Sequence, residues 1–135
     1  MSNLDASILD YLRGHRTGVL ATSKKSGAPQ LTLIAYQFDG TTLAISTRAP
    51  TQKAKNISVR PEVSLAVIDG SRQLIVYGAA RIVRNSAEVL HLHRERIRQI
   101  ALRKETDAEL EARLKREDRV VILLTPRSFY PTTLS

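Results

Sequence analysis

The stretch with the most direct chemical potential runs over residues 43–56, Leu-Ala-Ile-Ser-Thr-Arg-Ala-Pro-Thr-Gln-Lys-Ala-Lys-Asn. Its first half reads as a strand that delivers two hydroxyls, Ser46 and Thr47, and ends on the guanidinium of Arg48. Pro50 turns the chain and a helix begins, with Thr51 near its first turn and Lys53 just inside. The first turn of a helix leaves backbone N–H groups without partners, and the helix dipole favours negative charge there. Hydroxyl donors and a lysine beside such a terminus make a cradle for a phosphate or a similar anion. The same spacing equally suits an ordinary threonine-capped helix whose lysines are solvated, and spacing alone leaves both readings open.

Other reactive side chains form no constellation. Cysteine is absent, which removes disulfides, thiolate metal sites and cysteine nucleophiles together. His91 and His93 lie two apart on a predicted helix and do not share a face, so with His15 they make no ligand set and no metal is expected. Ser23 and Ser26 sit near lysines, but no histidine and acid are placed to complete a triad. Tyr36, Tyr77 and Tyr130 are candidate proton donors, although strand tyrosines more often serve packing. No Gly-x-Gly-x-x-Gly pattern exists, and no catalytic side chain is assigned.

The elements that must position the 43–56 segment follow from periodicity. Leu4, Ile8, Leu9 and Leu12 fall at helical spacing, and Gly14 is placed to end that helix. The period then changes. Residues 18–22, 29–38 and 42–47 read as strands, with a turn at Lys24-Lys25-Ser26-Gly27 and a hairpin signal at Asp39-Gly40. Residues 51–60 are helical and Pro61 closes them. Strands at 63–68 and 73–83 follow, joined by Asp69-Gly70-Ser71, with Gly78 marking a bulge or a close backbone approach. Ser86 is placed to cap a helix carrying Leu90, Ile97 and Ala101 on one side. Thr106 and Glu109 have capping-box spacing for a second helix through Leu110 and Leu114. A strand buried on both faces begins at Arg119 and is expected to stop at Pro126. Six short strands with hairpin turns and flanking helices predict a mostly β, antiparallel barrel, closed so that its edges are hidden. Residues 1–135 are read as one domain, without linker or repeat.

Composition narrows the function classes. Apolar residues make up 42% of the chain, enough for a packed core and against a disordered tail. The net charge of +8 raises the question of nucleic acid. Aromatics are only 4% and Trp is absent, which leaves little for base stacking. The positive residues are spread through the chain, and the densest stretch, Arg94 to Lys104, is interleaved with Glu95 and followed by Glu105, Asp107, Glu109 and Glu111. Mixed signs of this kind mark a solvated helix face, which argues against a nucleic-acid partner. No apolar run approaches the roughly 20 residues that span a bilayer, so no membrane association and a cytoplasmic location are expected.

Several short segments, in order, resemble one family. Gly18-Val19-Leu20-Ala21-Thr22, Gly27-Ala28-Pro29-Gln30-Leu31-Thr32 and Tyr36-Gln37-Phe38-Asp39-Gly40 look like the opening of the pyridoxamine-phosphate-oxidase-like split-barrel flavoproteins. Ile45-Ser46-Thr47 through Lys53-Ala54-Lys55-Asn56 resembles the family's phosphate segment, and Pro61-Glu62-Val63-Ser64-Leu65 the strand after it. The chain is most similar to the small members that use the deazaflavin coenzyme F-420 in place of FMN. The resemblance implies a six-stranded antiparallel split β-barrel and a homodimer with cofactor sites at its interface. It further implies a hydride-transferring oxidoreductase acting on a small conjugated or quinone-like molecule. The cofactor phosphate would sit among Ser46, Thr47, Arg48, Thr51, Gln52 and Lys53, and the ring along Gln30, Leu31, Thr32 and Leu33. Asn56 would support the loop, while Gln73 and Tyr77 would come from the partner subunit. FMN in the same fold, a non-enzymatic cofactor carrier and a nucleic-acid-binding protein are the alternatives. Ala49-Pro50, where the family often has glycine, and Phe129-Tyr130-Pro131 near the end depart from the pattern.

Overall fold

Helix α1 (Ala6–Arg13) begins at Asp5, whose side chain accepts from the Ser7 N–H at 2.8 Å. It ends at Gly14 and buries Ile8, Tyr11 and Leu12. In the computed structural model, which describes residues 5–97 and 104–134, this helix packs on a single seven-stranded antiparallel sheet. The strands are β1 (Thr17–Ser23), β2 (Pro29–Ala35), β3 (Gln37–Phe38), β4 (Leu43–Arg48), β5 (Glu62–Asp69), β6 (Arg72–Val83) and β7 (Arg119–Tyr130). Their order is β2-β1-β5-β6-β7-β4-β3. The helices are α2 (Gln52–Val59), α3 (Ser86–Leu92), which runs into a π-helical turn (His93–Ile97), and α4 (Asp107–Arg116). Among the described residues, no helix is long and apolar enough to cross a membrane.

The split-barrel class is as expected, but there are seven strands rather than six. The expected strand over 29–38 breaks at Tyr36. The Tyr36 N–H donates to the Arg16 carbonyl at 2.8 Å, and its hydroxyl donates to the Leu12 carbonyl at 2.8 Å. This draws the residue into the core, so that β2 pairs with β1 while β3 pairs with β4. The strands at the two ends of the sheet order are therefore joined through one residue, and the sheet curls back on itself.

Two apolar clusters hold the fold. Alternation along the strands sends Leu20, Leu43, Ile45, Leu65, Val76 and Ile122 inward beneath α1. The opposite face of β4, β6 and β7 packs Ala44, Val83 and Val121 against Val89 and Leu92 of α3 and Leu110 and Leu114 of α4. Strand β7 is thus buried on both faces, as its Val-Val-Ile-Leu-Leu run predicts.

Three expectations need correction or limits. Pro126 does not end β7, which continues to Tyr130. A bulge between Tyr77 and Gly78 shifts the register so that Gly78 faces Pro126, a position where a missing N–H is tolerated. Gly78 makes the close approach anticipated for it, since a Cβ there would lie 2.2 Å from the Thr125 carbonyl oxygen. Helix α3 is capped by Asn85 rather than Ser86, its side chain accepting from the N–H groups of Ala87 and Glu88. Ala101 and the core of the basic stretch fall in 98–103, outside the described residues. The capping box of Thr106 and Glu109 forms at the start of α4, with both of its hydrogen bonds in place.

Candidate functional site

Strand β4 and helix α2 are joined by Ala49, Pro50 and Thr51, and this junction organises the site. Inward positions on β4 anchor it in the core, so Ala44, Ser46 and Arg48 point to the outer face. Thr51 stands at the N-cap position, yet its hydroxyl does not cap the helix. It donates instead to the Arg48 carbonyl at 2.9 Å and lies 3.3 Å from the Thr47 hydroxyl. The first turn of α2 therefore has no side-chain cap, so the threonine-capped alternative is not what forms here. The loop is braced from behind by Asn56, which is buried and donates to Thr22 Oγ1 at 3.0 Å. Gln52 is turned into this brace, donating to Asn56 Oδ1 at 2.8 Å.

A cleft of about 330 Å³ opens between β2 and β4. Leu33, Ile34 and Ala35 line one side of it, Ala44, Ser46, Thr47 and Arg48 the other, and Thr51, Lys53, Ile97 and Arg119 complete it. One end is apolar and the other carries three cationic side chains. The third cation, Arg119, was not assigned to the site from sequence. It opens β7 directly opposite Arg48 in the antiparallel register. Like charges placed opposite each other on neighbouring strands are destabilising unless something offsets them. Glu117 offsets part of this, with its carboxylate 2.9 Å from Arg119 Nε and its carbonyl accepting from Arg48 Nε at 3.1 Å. Burial and then the proximity of Arg119 hold the Lys53 ammonium below its ordinary pKa. A half-buried lysine beside two arginines, with its charged form disfavoured mainly by burial, is placed to gain from an anion that enters the cleft.

Of the residues expected at a cofactor, Leu33, Ser46, Thr47, Arg48, Thr51 and Lys53 come together in this cleft. Gln30, Leu31, Thr32 and Gln52 are close in the chain but do not line it. Gln73 and Tyr77 lie on β6, three strands from β2 and two from β4 in the sheet order, and neither lines the cleft. Within one chain they do not reach it. Tyr36 is withdrawn from proton transfer by burial, which raises the pKa of its hydroxyl, and by its bond to Leu12. A further residue that sequence reasoning missed is His93, buried with Nε2 2.7 Å from Ser46 Oγ.

Two other clefts are weaker candidates for an anion. One, of about 350 Å³ between α3, α4 and the start of β7, lines Arg84, Lys115 and Arg119 with Glu111 and Asp118, so its charges are mixed. The other surrounds Tyr77 and contains Glu62 and Arg127, which pair loosely at 3.8 Å.

The outer face of the sheet beside the cleft is uncovered. Cross-strand register sets Leu33, Val19, Ala66, Ile75 and Tyr130 in one row, with Leu31, Ala21, Ser64 and Tyr77 in the next. Leu33 is 73% exposed and Leu31 63%, although both are large aliphatic residues on a strand.

Comparison with known proteins agrees with this architecture. The chain resembles a solved F420 reductase with 29% identity and a TM-score of 0.66, covering 89% of this chain and 93% of that one. A conserved protein from Mycobacterium tuberculosis matches with 25% identity and a TM-score of 0.70, covering 95% and 88%. HutZ, the heme storage protein from Vibrio cholerae, shares the fold with 19% identity and a TM-score of 0.69, covering 94% and 93%. The family model described as pyridoxamine 5'-phosphate oxidase matches residues 4–132, and the chain belongs to that family.

Proposed function

We propose that this chain is an oxidoreductase that holds coenzyme F-420 in the β2–β4 cleft and serves hydride transfer to or from a small conjugated or quinone-like substrate. The observation that carries the reading is the graded cleft, with Arg48, Lys53 and Arg119 at one end and Leu33, Ala35, Ala44 and Ile97 at the other. The cationic end suits a phosphodiester, and the apolar end suits a planar ring. A bound deazaflavin supplies the hydride chemistry itself. The task of the protein is then positional. The uncapped first turn of α2 offers backbone N–H donors to an anion, Thr51 and the Asn56 brace keep the loop in shape, and Leu33 and Ile97 keep water from the ring. The similarity to the F420 reductase is what favours F-420 over FMN. FMN is the second reading, favoured by the family match and served by the same residues.

The protein is further proposed to act as a homodimer through the uncovered rows around Leu31, Leu33 and Tyr77. An exposed apolar sheet face of this kind marks an interaction surface. Pairing there would bring Gln73 and Tyr77 of one copy toward the cleft of the other. Titration of the purified protein with F-420 and with FMN, followed by fluorescence, tests the cofactor assignment. Binding of F-420 in the micromolar range or tighter is expected. Tighter binding of FMN, or binding of neither, would refute it. Turnover of reducible quinone-like compounds by the loaded protein separates an enzyme from a cofactor carrier.

A further inference from the structure

His93 opens the π-helical turn after α3 and is 2% exposed, yet nothing above gives it a function. Turns of this type are frequent at functional sites. This one is clamped in place by Arg96, which donates through Nε to Gln37 Oε1 at 2.6 Å and through Nη2 to the carbonyls of Gln37 and Thr42 at 3.0 and 2.9 Å. The clamp fixes the imidazole against the back of β4.

The two ring nitrogens are then determined by their neighbours. Nδ1 lies 2.8 Å from the Val89 carbonyl oxygen, which can only accept, so Nδ1 carries the hydrogen. Nε2 lies 2.7 Å from Ser46 Oγ. Among the described residues, the charged groups acting on the ring are Arg113 from α4, Arg119 from β7 and Glu117 between them. Burial, aided by the two arginines and opposed by Val89 and Glu117, holds the imidazole pKa below its ordinary value of 6.5. The ring is therefore neutral at pH 7, Nε2 is a bare lone pair, and the Ser46 hydroxyl donates to it.

Ser46 also lines the cleft. It has one hydrogen, and with that hydrogen turned toward His93 its oxygen shows only lone pairs to a ligand. An anionic oxygen at Ser46 would meet lone pair against lone pair. If the hydroxyl turns outward, Nε2 is left buried and unpaired, a cost that is removed when Nε2 gains a hydrogen and becomes the donor in the Ser46–His93 pair.

We propose that His93 is a positioning residue that sets the direction of the Ser46 hydroxyl, so that binding of an anionic oxygen at Ser46 moves one proton from solvent onto His93 Nε2. The inference rests on the cleft being an anion site. The sign follows from linkage. The free protein has the lower imidazole pKa and the bound protein the higher one. Affinity is therefore greatest at low pH and falls by about tenfold per pH unit between the two values.

Sulfate is a suitable probe because it stays fully ionised across this range. The readouts are the nitrogen chemical shifts of the His93 ring in isotopically labelled protein and the sulfate dissociation constant between about pH 5.5 and 7.5, a window that brackets the ordinary histidine pKa by about one unit each side. Saturating sulfate at neutral pH is expected to move Nε2 to its protonated position, and binding is expected to weaken as pH rises above the free imidazole pKa. Ser46→Ala should still bind sulfate through the cations, but with Nε2 unprotonated and without the pH slope. Sulfate bound by the wild-type protein with Nε2 unprotonated and a pH-independent constant overturns the coupling alone. Sulfate binding that Lys53→Ala leaves unchanged overturns the anion site and the coupling with it.

Discussion

Replacing Arg119 with glutamine separates a binding role from a folding role. Among the described residues, Arg119 makes one ion pair, with Glu117 at 2.9 Å, and both side chains are more than a quarter exposed. Pairs of that exposure contribute about 0–1 kcal/mol. Against this stands Arg48, directly opposite in the β4–β7 register, whose like charge destabilises by a similar amount, about 0.2–1 kcal/mol. The two effects nearly cancel, so Arg119→Gln should change the unfolding free energy by less than about 1 kcal/mol in either direction. A cofactor anion at the cationic end loses one charge-assisted hydrogen bond in the same variant, about 1.5–3 kcal/mol, or roughly 10- to 150-fold in affinity. Fluorescence titration with F-420 and with FMN measures the second quantity, and urea unfolding of the ligand-free protein measures the first. An affinity within twofold of wild type for whichever cofactor binds, with folding intact, would refute the assignment of the cationic end. A loss of several kcal/mol in stability would show instead that Arg119 is a structural residue.

Two further outcomes test the architecture around the site. Leu33→Asp puts a charge in the middle of the uncovered row, so light scattering is expected to report a shift from dimer to monomer. A wild-type protein that is already monomeric at high concentration would count against the proposed face. Gly78→Ala forces a methyl group within 2.2 Å of the Thr125 carbonyl oxygen, a backbone atom that cannot step aside. A stability loss of about 1–3 kcal/mol or more is expected from such overpacking, read as a lower denaturant midpoint, and an unchanged midpoint would contradict the bulge geometry.

The parts of this structure that were legible in the sequence are those written in local chemistry. The Asp39-Gly40 hairpin forms with Asp39 Oδ1 accepting from the N–H groups of Thr41 and Thr42 and with Gly40 at φ +97°, a backbone conformation that glycine adopts without strain. The capping box at Thr106 and the close approach at Gly78 are equally local signals. The strand-to-helix segment from Ser46 to Lys53 could be read because its parts are neighbours in the chain. What escaped depended on register between distant segments. Arg119 belongs to the cleft only because β7 pairs with β4 in a register that sets it against Arg48, and nothing near Arg119 encodes that. His93 was set aside with the other histidines as forming no ligand set, because its partner, Ser46, is 47 residues away. Pro126 misled for a related reason. A proline ends a strand unless the pairing is bulged at that point, and here Tyr77 faces Ser128 while Gly78 faces Pro126, which leaves Arg127 unpaired in the ladder and the strand free to run on.

The break at Tyr36 has a consequence for what the cleft is. Strand β2 is hydrogen-bonded only to β1, and β4 to β7 and β3, so between β2 and β4 the barrel wall is joined by chain continuity through Tyr36 and not by a ladder. The cleft lies along this seam. Every second peptide group of β2 faces away from β1 and toward the seam, as on any edge strand. A flat molecule bearing donors and acceptors along one edge would pair with those groups as a neighbouring strand does. Such a molecule is a stave of the barrel as well as its cargo. Its binding free energy then adds to the stability of the folded chain, and the ligand-bound and ligand-free proteins differ in how completely their wall is closed.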